Sequence, residues 1–186
     1  LQTVDRVEIL MDPKHWSSDW KEFLAQVRLM AKITSLSIRF ETSNYQNSDI
    51  SQDLLLNLED LLTLLTSMNE VELDFSRCCR LPYEGIEILS RAFALNKKLS
   101  TVKLIFKQIE GVSDKNIGTL LEALSKISSL TSLTIDLSYS TSITNEGIQI
   151  ISEKLQKFIL EYFSLNLIGC SQISQTTIQT LKKETR

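Results

Sequence analysis

The chain has 186 residues, of which 42% are apolar and 23% charged, with 20 basic and 23 acidic residues and a formal net charge of −3. These values are ordinary for a globular protein, and the charge balance lacks the basic excess of a nucleic-acid surface. No apolar run approaches the roughly 18 residues of a membrane span. We therefore expect a globular protein that binds neither nucleic acid nor membrane.

Six apolar positions, each the start of a strand pattern, divide the chain into units of similar length. These anchors are Val7, Leu36, Val71, Val102, Leu133 and Phe163, and successive anchors are 29, 35, 31, 31 and 30 residues apart. Apolar residues also lie three positions before each anchor and two and four positions after it. Alternation with period two is typical of a half-buried strand. The pattern predicts one domain of about six repeats, approximately 4–32, 33–67, 68–98, 99–129, 130–159 and 160–186.

A helix start follows each strand pattern. Candidate N-caps are Ser17, Ser51, Ser113, Thr144 and Ser174, and apolar residues at helical spacing come after each of them. The third unit has Pro82 instead, which we predict at the first helical position. Gly85 and Gly147 occupy equivalent places near a helix start. Because glycine costs a helix roughly 1 kcal/mol, these positions predict a close approach to the neighbouring unit.

The pattern L-x-x-L-x-L-x-L, followed by a helix start that contains glycine, resembles leucine-rich repeats of the ribonuclease-inhibitor-like type. Leucine-rich-repeat proteins of ciliates are the closest in pattern, and the resemblance extends from Val4 to Leu181. It implies an α/β, right-handed solenoid with a curved parallel sheet inside and helices outside. The family often has Asn or Cys at the turn after the strand, and only two units keep that preference. The turn positions are Lys14, Ser43, Cys78, Ile109, Ser140 and Cys170.

The ends and one insertion depart from a regular array. A polar insertion at 41–49 lengthens the second unit. The chain starts almost directly in a strand pattern, without an initiator Met or a signal peptide. We therefore expect it to be part of a longer protein, with further repeats or a partner beside the open N-terminal edge. The polar C-terminal segment is typical of a true end.

The side chains between the inward strand positions define the predicted concave face. Glu70, Glu72 and Asp74 form an acidic patch that Asp136 extends and that Lys103 and Lys107 flank. Leu10, Ile105 and Tyr162 are apolar anchors of the kind that dominates binding energy. The predicted partner-binding residues are Arg39, Glu70, Glu72, Asp74, Lys103, Ile105, Asp136 and Tyr162. The alternative interpretation is a solvated sheet face with scattered apolar residues.

No constellation for catalysis stands out in the sequence. The single histidine, His15, lies in a turn beside Trp16, and we expect it to be structural or solvent-exposed. Cys78 and Cys79 are adjacent, which does not match the spaced ligand pairs of a zinc site. No phosphate-binding glycine motif occurs. We therefore predict no enzymatic activity, no cofactor, no metal and no small-molecule substrate.

Three cysteines, an odd number without framework spacing, predict reduced thiols and a cytoplasmic location, including the cytoskeleton or another large assembly. Cys78 and Cys170 are expected to be buried and Cys79 to be the more exposed thiol.

The sequence predicts a non-catalytic scaffold for protein–protein interaction. Its partners would be other proteins within a multi-subunit assembly, of which the chain is a structural or adaptor component. The alternative, implied by the resemblance, is the recognition or regulatory region of a larger signalling protein. Candidates are a GTPase activator, a ubiquitin-ligase substrate receptor and a kinase-linked sensor.

Overall fold

Strands and helices alternate along the whole described chain. The structure, a computed structural model, describes residues 5–12, 20–29, 32–40 and 49–184. The strands are β1 (Arg6–Met11), β2 (Ser35–Phe40), β3 (Glu70–Asp74), β4 (Thr101–Ile105), β5 (Ser132–Asp136) and β6 (Tyr162–Asn166). The helices are α1 (Trp20–Leu29), α2 (Gln52–Leu64), α3 (Gly85–Leu95), α4 (Asp114–Leu124), α5 (Asn145–Leu155) and α6 (Gln175–Glu184). Each strand begins one residue before its predicted anchor.

The six strands form one parallel sheet in the order of the sequence. Each anchor pairs with the next one: Val7 with Leu36, Leu36 with Val71, and so on to Leu133 with Phe163. Each helix contacts the helix that follows it in the chain. The prediction of an α/β fold with six strand–helix units is confirmed.

The hydrophobic core lies between the sheet and the helices. Alternate strand residues such as Leu73 and Leu104 are completely buried, together with helix residues such as Leu58 and Leu120. At the C-terminal ends of three neighbouring strands, four residues after each anchor, the rings of Phe40, Phe75 and Phe106 are stacked at centroid distances of 4.6 and 5.6 Å. Successive strand residues point to opposite faces, so the other face carries the intervening, mostly polar side chains.

Most predicted helix caps are confirmed. Ser51 accepts a hydrogen bond from the Leu54 amide, Ser113 forms a capping box with Asn116, and Thr144 accepts from the Glu146 amide. The Ser174 hydroxyl likewise accepts from the Thr177 amide, and Ser17 lies outside the described residues.

The prediction for Pro82 is wrong, because α3 begins three residues later, at Gly85. The Pro82 carbonyl instead accepts a hydrogen bond from the Gly85 amide at 2.8 Å, which forms a turn before the helix.

Gly85 and Gly147 lie where neighbouring units approach each other, as predicted. A Cβ atom at residue 85 would be 3.0 Å from Leu55 Cδ1 on α2. A Cβ atom at residue 147 would collide with the carboxylate of Asp114 on α4. The helical cost of glycine is therefore offset by closer packing of adjacent helices.

The turn positions after the strands share burial rather than one residue type. Cys78, Ile109, Ser140 and Cys170 are all buried, with exposed fractions of 2%, 4%, 3% and 8%. The Cys170 thiol donates to the Leu137 carbonyl across the unit boundary at 3.0 Å. Burial thus explains why apolar Ile109 can occupy the position equivalent to Cys78 and Cys170. Lys14 and Ser43 lie outside the described residues.

Candidate functional site

One face of the sheet carries the candidate binding surface. The strand residues on this open face form three rows, because every strand pair has the same register. The first row is Arg6, Ser35, Glu70, Thr101, Ser132 and Tyr162. The second is Glu8, Ser37, Glu72, Lys103, Thr134 and Ser164. The third is Leu10, Arg39, Asp74, Ile105, Asp136 and Asn166. At about 4.8 Å between strands, each row spans roughly 24 Å.

The predicted acidic patch on β3 has partners on both neighbouring strands. Lys103 Nζ lies 2.7 Å from Glu72 Oε1, and Arg39 Nε lies 3.4 Å from Asp74 Oδ2. The Ser35 hydroxyl donates to Glu70 at 2.8 Å. Two of the three negative charges are therefore balanced by cations of adjacent strands. The structure brings these predicted residues together as alternating charges instead of a continuous anionic surface.

Three residues of the third row stabilise the turn that follows their strand. Oδ1 of Asp74 accepts from the Ser76 amide at 2.9 Å, and Oδ1 of Asp136 accepts from the Ser138 amide at 2.8 Å. Asn166 does the same for the Ile168 amide at 3.1 Å. These Asx turns give Asp74 and Asp136 a structural role in addition to their place on the face. The signal in the sequence is the recurrence of Asp or Asn three residues after an anchor.

The predicted apolar anchors do not form one patch. Leu10 is 66% exposed and Tyr162 is 56% exposed, but they lie on the two edge strands, β1 and β6. Ile105 is half-buried on β4, between Asp74 and Asp136 in the third row. A partner that contacts both Leu10 and Tyr162 must therefore extend across the whole sheet.

Sequence reasoning did not single out a group of side chains beyond the strand ends. We call Lys107, Tyr139 and Ile168 the Tyr139 cluster. The Lys107 ammonium lies 5.7 Å from the centroid of the Tyr139 ring, and the Tyr139 amide donates to the Ile168 carbonyl at 2.7 Å. Tyr139 and Ile168 are 49% and 66% exposed. The one sequence signal was an aromatic residue in a turn, which by itself does not indicate a site.

The helix layer presents a second, charged surface. Glu122 of α4 accepts from Lys154 at 2.6 Å and from Lys157 at 2.7 Å. Hydrogen bonds from these two ammonium groups, first Lys154 and then Lys157, lower the pKa of Glu122 to about 2. An open groove of about 1090 Å³ lies over α3, α4 and α5 beside this ion-pair group. The ion pairs connect α4 to α5 and to the segment that follows α5, and both ammonium groups bind the same Glu122 oxygen, Oε2.

Within the part of the chain that the structure describes, no three His, Cys, Asp or Glu side chains are placed to hold a metal ion. None of the described helices combines the length and apolar character needed to cross a bilayer. His15 lies outside the described residues.

The thiols of Cys78, Cys79 and Cys170 form no disulfide. Burial, and secondarily the neighbouring Cys79, raises the pKa of the Cys78 thiol to about 12. Burial likewise raises the pKa of Cys170. Cys78 and Cys170 are buried, as predicted, and Cys79 is half-buried.

Comparison with known families and curated proteins does not identify the chain. No family model matches the chain, and no curated protein is significantly similar to it in sequence.

Proposed function

We propose that the protein is a right-handed leucine-rich-repeat solenoid of the ribonuclease-inhibitor-like type, and that it binds another protein through its open sheet face. The six strand–helix units in one unbroken register support this assignment. Strand–helix–strand connections between parallel strands are almost always right-handed. Neighbouring strands are about 4.8 Å apart whereas packed helices need roughly 8–10 Å, so stacked units curve with the sheet on the concave side.

The proposed function is supported by the contrast between the two sides of the sheet. The side that faces the helices is fully buried at β3–β5, while the other side remains open. On that side, exposed Leu10 stands at the end of the row that holds the Arg39–Asp74 pair, and exposed Tyr162 stands at the end of the first row, next to the row of the Glu72–Lys103 pair. Side chains held by cross-strand pairs lose little conformational freedom on binding. Such a surface suits recognition of a folded protein.

Within the open face, the β4–β6 half has the chemistry of an interface centre. Tyr162 supplies an aromatic anchor, and the Tyr139 cluster adds a second exposed tyrosine with a cation beside its ring. Tyrosine is enriched among residues that dominate binding energy. Small side chains on β5 and β6, namely Ser132, Thr134 and Ser164, lie beyond Lys103 and give a partner close access to the sheet.

The proposed role is a non-catalytic scaffold, a structural or adaptor component of a multi-subunit cytoplasmic assembly. The partner would be a protein with basic and acidic groups that alternate to match Glu72 and Lys103.

A charge-swap experiment tests the open face. The double variant Glu72→Lys/Lys103→Glu keeps an ion pair on β3 and β4 but reverses its direction, so the fold retains its contact. The matched control, Glu59→Arg/Arg91→Glu, reverses the bidentate pair between α2 and α3, whose two contacts are 3.0 Å each. Each protein is used as bait in a cytoplasmic extract, and captured proteins are quantified by mass spectrometry.

We expect the face swap to lose the captured partners at least tenfold and the helix swap to keep them, with both proteins melting near the wild-type temperature. If the face-swap variant still captures these proteins and the helix-swap variant does not, the binding site lies on the helices instead.

A further inference from the structure

One cation beside the open face has no ion pair. The three cations on the strands of this face each contact a carboxylate; the pairs are Arg6–Glu8, Arg39–Asp74 and Lys103–Glu72, at 3.0, 3.4 and 2.7 Å. Lys107, two residues beyond the end of β4, is exposed, and no carboxylate among the described residues contacts its ammonium. The group that it approaches is the ring of Tyr139, at 5.7 Å from the centroid. Its positive charge is therefore unpaired within the described part of the chain.

The backbone amide of Lys107 also lacks an acceptor. In three other units the third-row residue accepts from the amide two positions later, as Asp136 does from Ser138 at 2.8 Å. Ile105 holds this place in the fourth unit and has no acceptor atom. The Lys107 amide has no hydrogen-bond partner among the described residues. The fourth unit thus gives up a hydrogen bond worth roughly 1 kcal/mol and carries an apolar side chain on the open face.

The turn that contains Tyr139 does not require an aromatic residue. The equivalent positions of the neighbouring units are Gln108 and Gly169, and the backbone is left-handed at all three, with φ of 57°, 61° and 75° in chain order. Left-handed backbone at a residue other than glycine costs of order 1–3 kcal/mol and is concentrated at functional sites. Because glutamine and glycine suit the same turn, the turn gives no reason for the ring at residue 139.

The Tyr139 ring is nevertheless held in place. Its amide donates to the Ile168 carbonyl at 2.7 Å. A Cβ atom at residue 169 would be 2.5 Å from Cδ1 of the ring, so the ring lies directly against the Gly169 backbone. The residue is 49% exposed, and its hydroxyl has no hydrogen-bond partner among the described residues. Lys107 and Tyr139 lie in the fourth and fifth units, so a further repeat at either end of the sheet would leave them exposed.

We propose that the Tyr139 cluster binds an acidic segment of the partner protein. This inference rests on the proposed partner-binding face and specifies the chemistry of the partner there. An aspartate or glutamate carboxylate of the segment accepts from the Lys107 ammonium and from the Tyr139 hydroxyl. A backbone carbonyl of the same segment accepts from the Lys107 amide.

A single carboxylate fits this place better than a polyanion does. Both oxygens of Asp136 already accept hydrogen bonds, from the Ser138 amide at 2.8 Å and from Asn166 Nδ2 at 3.0 Å. Asp136 therefore does not compete for Lys107. The carboxylates of Asp74 and Asp136, on β3 and β5, would nevertheless repel the successive phosphates of a nucleic acid or an anionic membrane. A short acidic segment brings one carboxylate to Lys107 and leaves these two groups undisturbed.

Carbodiimide cross-linking tests the contact, because the reagent joins an amine and a carboxylate directly, without a spacer. The protein is used as bait in a cytoplasmic extract and treated with the reagent, and the linked peptides are identified by mass spectrometry. We expect Lys107 to be linked to an aspartate or glutamate of a captured protein. Lys98, an exposed lysine that precedes the same strand, is the internal control and should remain unlinked.

Substitutions measure how much the contact contributes. Lys107→Glu should lower the amount of captured protein at least about tenfold, and Tyr139→Phe, which keeps the ring and loses the hydroxyl, by about threefold. Lys107→Arg and the control Lys98→Glu should capture as the wild type does. Because Lys107 has no ion pair to lose among the described residues, all four variants should melt near the wild-type temperature.

Undiminished capture by the folded Lys107→Glu variant overturns the proposal, as does a link from Lys107 to a carboxylate of the protein itself. Capture that ribonuclease abolishes overturns it as well, because the bound anion would then be a phosphate of RNA. If Glu72→Lys/Lys103→Glu loses the partner while Lys107→Glu keeps it, the open face remains the binding surface and only the acidic segment is refuted. A wild-type protein that captures nothing refutes both.

Discussion

Asp114, the first residue of α4, holds Thr144, the N-cap of α5, by two hydrogen bonds. Its Oδ1 accepts from the Thr144 amide at 2.9 Å, and its Oδ2 accepts from the Thr144 hydroxyl at 2.6 Å. One unit further, Asn145 accepts from the Ser174 amide at 2.8 Å. The first residue of one helix thus fixes the start of the next, and this contact sets the spacing of the helix layer.

Gly147→Ala tests that contact. The new methyl group would collide with the Asp114 carboxylate and displace it from Thr144. Loss of charge-assisted hydrogen bonds costs roughly 1.5–3 kcal/mol and alanine regains about 1 kcal/mol of helix propensity, so we expect a net loss of about 0.5–2 kcal/mol. Urea unfolding measures it. The control is Gly118→Ala, whose methyl would meet only the Ile150 side chain at 2.9 Å. The same helix propensity is gained there and is partly offset by displacing that side chain, so stability should not fall and should rise by no more than about 1 kcal/mol. Equal effects would show that the carboxylate has no special role.

Asn96 joins the ends of two helices and should be hard to replace. Its buried Nδ2 donates to the Leu62 carbonyl of α2 at 2.9 Å and to the Ala92 carbonyl of α3 at 3.1 Å. Asn96→Ala leaves the Leu62 carbonyl without this donor, and we expect a loss of about 1–3 kcal/mol in chemical denaturation. Ser90→Ala is the comparison, since the Ser90 hydroxyl donates only to the Ile86 carbonyl within its own helix. That change should cost less than about 0.5 kcal/mol.

The three thiols should react with alkylating agents in a fixed order. With its pKa near 12, Cys78 is thiolate in only about one molecule in ten thousand at pH 8. Cys170 is buried with a raised pKa as well. Iodoacetamide at pH 8, followed by peptide mass spectrometry, should therefore label Cys79 first. All three cysteines should be labelled in denaturant, and early labelling of Cys78 in the folded protein would contradict the prediction.

The Glu122 ion pairs should make the stability of the protein depend on pH in the acidic range. The pKa of Glu122 falls from 4.5 to about 2 on folding, so its charged form stabilises the folded state. That stabilisation is present above pH 4.5 and is lost as the pH falls toward 2. The melting temperature of Glu122→Gln should be below that of the wild type at pH 7, and the difference should vanish near pH 2. High salt should reduce the difference at pH 7, because exposed pairs are screened.

Sequence reasoning succeeded where the determining signal was local. Alternation around anchors such as Leu133 depends on nearby residues and identified the six strands correctly. The same holds for the Ser or Thr before α2, α4, α5 and α6, which caps its helix. The position of Pro82 was wrong because proline is compatible with the first helical position and equally with a turn before it.

The pairing of charges on the open face could be established only from the sheet register. The repeat spacing already placed Lys103, 31 residues after Glu72, at the flank of the predicted acidic patch, but the 2.7 Å ion pair between them depends on the sheet register and on side-chain conformation. The Asx turns of Asp74 and Asp136 were hidden by their position in the strand pattern. An acidic patch was therefore expected where the structure has alternating charges.

The shared carbonyls before the strands have a consequence for how the molecule opens. Each one accepts two amides from the next unit; the series is Asp5, Thr34, Asn69, Ser100 and Thr131. An internal unit cannot detach without breaking such bonds on both sides, whereas an end unit breaks them on one side only. Amide hydrogen exchange should therefore be slowest in β3 and β4 and become faster toward both edges of the sheet, because local unfolding starts at the end units.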